Sequence, residues 1–268
     1  MAIDLRDSAD VLRLGVADFG EASVKLFRRG AGRPLLFLHG FDGPRSASPF
    51  ADRLAGHMDV FAPVHPGFDR TELPGWIDHI DDLVYLYLDL MDRLDLLDVT
   101  LVGLDMGGWI AAEIAVRNTG RLARLVLAGA VGIKAGGRED RDIPDIWGLF
   151  PAQVRDILWS KPENAPDFSA LEDAELETIG LNQEAAALYL WEPYMHNPRL
   201  RRRLHRIDVP ALYLRGAKDG LISERYAQAY VADIPGARLE TIADAAHFVE
   251  IEQPAKLADA ILKFAGAI

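Results

Sequence analysis

Residues 99–104 form a short run, Val-Thr-Leu-Val-Gly-Leu, that passes straight into Asp-Met-Gly-Gly at 105–108 and the helical stretch Trp109–Arg117. A short, nearly unbroken apolar run suits a strand buried on both faces, as in a parallel sheet. Entering a helix at once, with Gly103, Gly107 and Gly108 around the junction, demands a sharp and closely packed turn. This strand–turn–helix unit constrains the fold more than any other feature of the chain.

The remaining segments follow the same grammar. Val11–Phe19 and Ala22–Phe27 read as a strand pair, and Arg33–Leu38, Asp59–Val64, Leu125–Ala128, Ala211–Arg215 and Arg238–Ile242 as further strands. Ile77, Ile80, Val84, Tyr87, Met91 and Leu94 recur at spacings of three and four, which marks one helix with an apolar stripe. Helices are also expected near 223–232 and 254–265. Such alternation predicts an α/β fold, a mostly parallel sheet covered by helices on both faces. Between about Ile133 and Ile207 the alternation breaks, and Trp147, Phe150, Trp159, Tyr189, Trp191 and Tyr194 accumulate. A long insertion between two strands reads as a helical cap or lid. The expected division is therefore a core at 1–132, a cap at 133–207 and the rest of the core at 208–268.

Bulk properties narrow the partners. A formal charge of −12 opposes polyanion binding. The basic run Arg199–Arg206 reads as a solvated helix face or a bridge between subdomains. The absence of Cys excludes disulfides and thiol chemistry. Residues 1–20 carry Asp4, Asp7 and Asp10 and no basic start before an apolar core, and no apolar stretch reaches membrane-spanning length. The expectation is a soluble cytoplasmic protein that meets a small molecule, neither nucleic acid nor membrane; oligomeric state stays open. No cofactor is implied. None of His39, His57, His65, His79, His196 and His205 forms a metal-ligand pair, so they are expected to pack or face solvent, and no metal site is expected.

Four pieces capable of chemistry fall at the ends of expected strands, where α/β folds place their sites. A strand that turns sharply into a helix around one chemically able residue is a nucleophile elbow, usually occupied by Ser. Here Asp105 takes that place, at a helix start that favours negative charge; helix capping is the bland alternative. His247, after the last strand, is the candidate base. Asp219, after the preceding strand, can hold its imidazole in one tautomer, or else simply form a turn before Gly220. The fourth piece is His39-Gly-Phe-Asp-Gly43, where the N–H groups of Phe41 and Met106 could converge as an oxyanion hole. Nucleophile, acid and base in that chain order, each after a strand, form a coherent set.

These residues resemble the α/β-hydrolase family over essentially the whole chain. The likeness lies in His-Gly-Phe at 39–41, the elbow at 103–108, Gly-Ala-Lys-Asp at 216–219, and the His-Phe-x-x-x-Glu-Gln-Pro stretch at 247–254. Within that family Asp nucleophiles are typical of epoxide hydrolases and dehalogenases, whereas esterases and carbon–carbon hydrolases use Ser. Met106 stands where haloalkane dehalogenases carry Trp, so the resemblance favours epoxide hydrolysis, with Tyr189 and Tyr194 as cap acids or as packing residues. An apolar pocket drawn from Trp147, Trp159 and Trp191 would suit a small substrate. The stretch Asp105–Glu113 is also similar to the elbow of Ser-type cap-bearing esterases and carbon–carbon hydrolases, with Asp in the Ser position. A dehalogenase and a non-catalytic small-ligand binder complete the alternatives.

Overall fold

A computed structural model of the chain describes residues 10–16, 20–44 and 48–268. The acidic start at Asp4 and Asp7, and the end of the first expected strand at 17–19, lie outside these residues. Within these residues eight strands make one sheet: β1 Asp10–Val16, β2 Gly20–Arg29, β3 Pro34–Leu38, β4 Asp59–Pro63, β5 Val99–Leu104, β6 Leu122–Ala128, β7 Ala211–Gly216 and β8 Arg238–Ile242. Their order is β1-β2-β4-β3-β5-β6-β7-β8. β1 pairs antiparallel with β2 and β2 antiparallel with β4; every other pairing is parallel.

Among the described residues, eight α-helices accompany the sheet: α1 Ser48–Ala55, α2 Ile80–Arg93, α3 Asp105–Arg117, α4 Pro151–Leu158, α5 Asp173–Leu190, α6 Glu224–Ala232, α7 Val249–Glu252 and α8 Pro254–Ala265. Successive residues of the central strands serve opposite layers, as the pleat requires. Leu36, Leu38, Leu101, Leu125 and Leu127 join one core with α2 and α3, while Leu35, Phe37, Val102, Leu104 and Val126 join the other with α1 and α8. The stripe expected on α2 is buried at Ile80, Val84, Tyr87 and Met91. The sequence reading assigned no helix at α1; that helix is short, and it buries Phe50 and Leu54 in the second layer.

Between β6 and β7 the described chain holds α4, α5 and three 3-10 turns. The basic run at its end bridges to the core: Arg201 pairs with Asp233 at 2.7 Å, and the Arg206 Nε–H donates to the Val116 carbonyl at 3.0 Å. No helix among the described residues is long and apolar enough to cross a membrane.

The site is placed by topology. From β3 the chain moves outward to β4, then returns across β3 to β5. Loops leaving β3 and β5 therefore diverge above adjacent parallel strands, paired through Leu38 and Gly103, and open a crevice at their carboxyl ends.

Candidate active site

The apex of the turn between β5 and α3 is Asp105, with φ of +46°. A non-glycine residue in this left-handed region is held there by its surroundings. The turn is tight because α3 lies directly on the end of β3. A Cβ at Gly107 would come within 2.2 Å of the Leu38 carbonyl oxygen, so only glycine permits the approach. A Cβ at Gly40 would lie 3.2 Å from the Asp105 Cβ and 3.3 Å from its Oδ2. The loop after β3 thus closes onto the carboxylate, and the Phe41 N–H donates to Asp105 Oδ2 at 3.0 Å. Met106, buried in the first turn of α3, follows Asp105 directly, where helix N–H groups have no partner in their own helix.

Asp219 and His247 arrive from the neighbouring strand ends. Asp219 Oδ1 accepts from the N–H groups of Leu221 and Ile222 at 2.9 and 2.8 Å, which fixes the loop after β7. Its Oδ2 accepts from His247 Nδ1 at 3.1 Å, so Nδ1 carries a proton and Nε2 points onward. Nε2 faces Asp105 Oδ1 at 3.7 Å. All three side chains are buried.

Among the described residues, only three buried side-chain polar atoms lack a hydrogen-bond partner: Asp105 Oδ1, His247 Nε2 and Arg215 Nε. The first two face each other across a gap too wide for a direct hydrogen bond. Burial alone would push the imidazole down, but the charge of Asp219, its hydrogen bond and the adjacent Asp105 carboxylate outweigh it and lift His247 to about 10. The resting ring is therefore an imidazolium between two carboxylates.

A family model described as the alpha/beta hydrolase family matches residues 35–260. The chain belongs to the alpha/beta hydrolase family. This alpha/beta hydrolase is 26% identical over 266 residues to the 2-hydroxymuconate semialdehyde hydrolase of Pseudomonas sp. (strain CF600), covering 90% of this chain and 89% of that protein. Among solved structures, the 2-hydroxy-6-oxo-6-phenylhexa-2,4-dienoate hydrolase of Rhodococcus sp. strain RHA1 shares its fold, with a TM-score of 0.73 at 20% identity over 97% of this chain and 100% of that one. An esterase from Exiguobacterium antarcticum does so with a TM-score of 0.71 at 20% identity, over 95% and 98%. Neither the relative nor these two structures carries the name of an epoxide hydrolase.

The aromatic residues of the insertion divide between two places. Trp159 packs on Phe248 beside His247, with ring centres 5.0 Å apart. Trp147 packs against Trp191 and Tyr194. Trp191 and Tyr194 line a cavity of about 400 Å³ together with Ile133, Lys134, Ile143 and His196, and Asp105, Asp219 and His247 are not in its wall. The tyrosine hydroxyls are committed elsewhere. Tyr189 is buried and donates to the Pro66 carbonyl at 3.1 Å. Tyr194 donates to the Pro144 carbonyl at 2.8 Å and accepts from the Ile146 N–H at 3.0 Å. Burial raises both above the usual phenol value, Tyr194 to about 12. Each hydroxyl thus donates to a backbone carbonyl here, which is the packing role that stood beside that of cap acid.

Two histidines prove structural in a way their positions did not announce. His39 Nε2 accepts from the His65 N–H at 3.0 Å, and His65 Nε2 donates to the His39 carbonyl at 2.9 Å. Tyr87 then bonds to His65 Nδ1. Burial pushes both rings down, His39 to about 4, so the pair is neutral and ties the loop after β3 to the loop after β4. Asp78, His79 and Asp82 form an exposed group of metal-ligand type, but Asp82 is engaged there in accepting the N–H groups of Asp78 and His79 at the start of α2.

Proposed function

We propose that this alpha/beta hydrolase uses the scaffold of ester and carbon–carbon bond hydrolases with Asp105 in the Ser position, and that Asp105 attacks a saturated carbon of a small, mostly apolar substrate. One observation carries the reading: Asp105 Oδ2 rests on the Phe41 N–H while Oδ1 faces His247 with no partner. A carboxylate so placed is a poor acyl acceptor. Attack on an ester carbonyl would give an anhydride, and the carbonyl oxygen seeking the oxyanion hole would find Oδ2 already there.

Attack of Oδ1 on an sp³ carbon meets neither obstacle. The new carbon–oxygen bond forms as the bond to an epoxide oxygen or a halide breaks, the leaving atom taking the electron pair. Oδ2 becomes the ester carbonyl oxygen without moving from the hole. Water then loses a proton to His247 and attacks the Asp105 Cγ, the oxyanion forms on Oδ2 against the Phe41 N–H, and collapse releases an alcohol and restores the carboxylate. Ester formation also removes the Asp105 charge that helps keep His247 protonated, so the ring becomes a better base at the step that needs one. Met106 offers no halide donor, which keeps epoxides ahead of halides; with Tyr189 and Tyr194 already bonded, the departing alkoxide takes the Nε2 proton of the His247 imidazolium, relayed by water, and leaves the ring neutral for the second step.

A second reading, ester or carbon–carbon hydrolysis on a scaffold in which Asp replaced Ser, is supported by the semialdehyde and dienoate hydrolases among its relatives and fold neighbours. The test is to incubate His247→Gln with panels of epoxides, haloalkanes and esters and to weigh the peptide containing Asp105. A trapped alkyl adduct supports the first reading. No adduct from any panel, with esterase activity gained by Asp105→Ser, replaces it with the second.

A further inference from the structure

Glu252 has no role in the chemistry above, yet its carboxylate collects three N–H donors, and among the described residues no cation pairs with it. Oε1 accepts from the Ser160 N–H at 2.9 Å and from the Asn164 side-chain amide at 2.5 Å. Oε2 accepts from the N–H of Ala246 at 2.6 Å. Ser160 and Asn164 belong to the strap that leaves α4, whereas Ala246 immediately precedes His247.

The same strap touches the catalytic loops twice more through backbone atoms. The His247 N–H donates to the Leu158 carbonyl at 3.1 Å, and the Gly220 N–H, next to Asp219, donates to the Ile157 carbonyl at 3.0 Å. Between these contacts Trp159 lies on Phe248, whose edge meets Phe41, the residue that donates to Asp105. Residues 157–164 are therefore joined directly to the loops after β7 and β8 and, through Phe248, to the loop after β3, and among the described residues Glu252 is the charged side chain in that seam. Hydrogen bonds to an ionised acceptor are the strong ones, and their directions fix a backbone as a neutral bond does not.

We infer that Glu252 is a positioning residue, a clamp through which docking of the strap at 157–164 sets where the His247 imidazole stands. The inference rests on His247 being the base of the proposed reaction. Displacement of that ring by about an ångström would be felt strongly in the rate, since a catalytic group must keep near-attack geometry.

The clamp can be cut from either end. Glu252→Gln keeps an oxygen for Ser160 and Asn164 but sets an NH₂ group against the Ala246 N–H, donor against donor. Asn164→Ala removes only a strap contact. The readout is the solvent exchange rate of the His247 Nδ1 proton, followed by NMR on the substrate-free protein, beside the melting temperature of each variant. The expected result is exchange faster by about tenfold in Glu252→Gln, the scale of losing one hydrogen bond to a charged group, and a smaller rise in Asn164→Ala. Unchanged exchange in the folded variants overturns the inference, even if both melt earlier, because local loop stability would then be all that Glu252 supplies. Should Glu252→Gln fail to fold, Asn164→Ala decides alone. No substrate enters this measurement, so its outcome is separate from whether Asp105 forms an adduct.

Discussion

The elbow and the insertion between β6 and β7 treat buried polar atoms in opposite ways. At the elbow, Asp105 Oδ1 and His247 Nε2 are buried and face each other at 3.7 Å without a hydrogen bond. In the insertion, the Tyr189 and Tyr194 hydroxyls, which sequence reading offered as acids, are spent on the carbonyls of Pro66 and Pro144. Leaving a buried polar atom without a hydrogen bond is costly, so two such atoms facing each other mark a place where another group can be met. In the proposed reaction, that contrast separates the residues that react from those that pack.

The strongest way to break this contrast is Asp105→Asn. The amide keeps the shape of the side chain and an oxygen for the Phe41 N–H, but it loses the nucleophilic oxygen. On any substrate found by the panels, turnover is expected to fall about 10⁴-fold and the adduct mass to vanish. Removing one flanking carboxylate also lowers His247 from about 10, which an NMR titration of the ring reads directly. Turnover within tenfold of the parent protein would show that the unpaired oxygen was not the reacting one.

A weaker effect is expected on the other side. Tyr189→Phe and Tyr194→Phe each remove a donor to a backbone carbonyl, so each should cost about 1 kcal/mol of stability, measured by denaturant unfolding. Turnover should change less than about twofold in either, because neither proton is available for transfer. A large loss of turnover with stability intact would return these tyrosines to the catalytic set and dissolve the contrast.

The two sides also differ in how legible they were. Each short apolar run at the centre of the sheet became a strand, because burial on both faces leaves a chain segment little choice of composition. Asp105, Asp219 and His247 could be found because topology puts the residue after each strand at one edge of the sheet. The tyrosine hydroxyls could not be assigned, because their acceptors are carbonyls far away in the chain, and every residue type carries one. Glu252 lay inside the stretch that resembled the family, but its partners belong to a strap that only the fold brings near. The neutral pair His39 and His65 was likewise hidden: pairing through backbone groups leaves no spacing signal.

The smallest effect sharpens the comparison from within the catalytic side, at Glu250. This residue of α7 is only 6% exposed. Burial pushes it up to about 8 from the usual 4.5; its own N–H and the charge of His247 pull it back, while Asp42 and Asp105 add to the rise. With the folded value above the unfolded one, the native state holds an extra proton between those limits, and stability falls as pH rises through them. His247 acts with the same sign over a later window: its contribution is full below 6.5 and is lost as pH climbs toward 10. The melting temperature should therefore decline from about pH 5 to about pH 9, and Glu250→Gln should flatten the first half of that decline while leaving the second. Equal slopes in the two proteins below about pH 7 would mean that Glu250 is ionised in the native state.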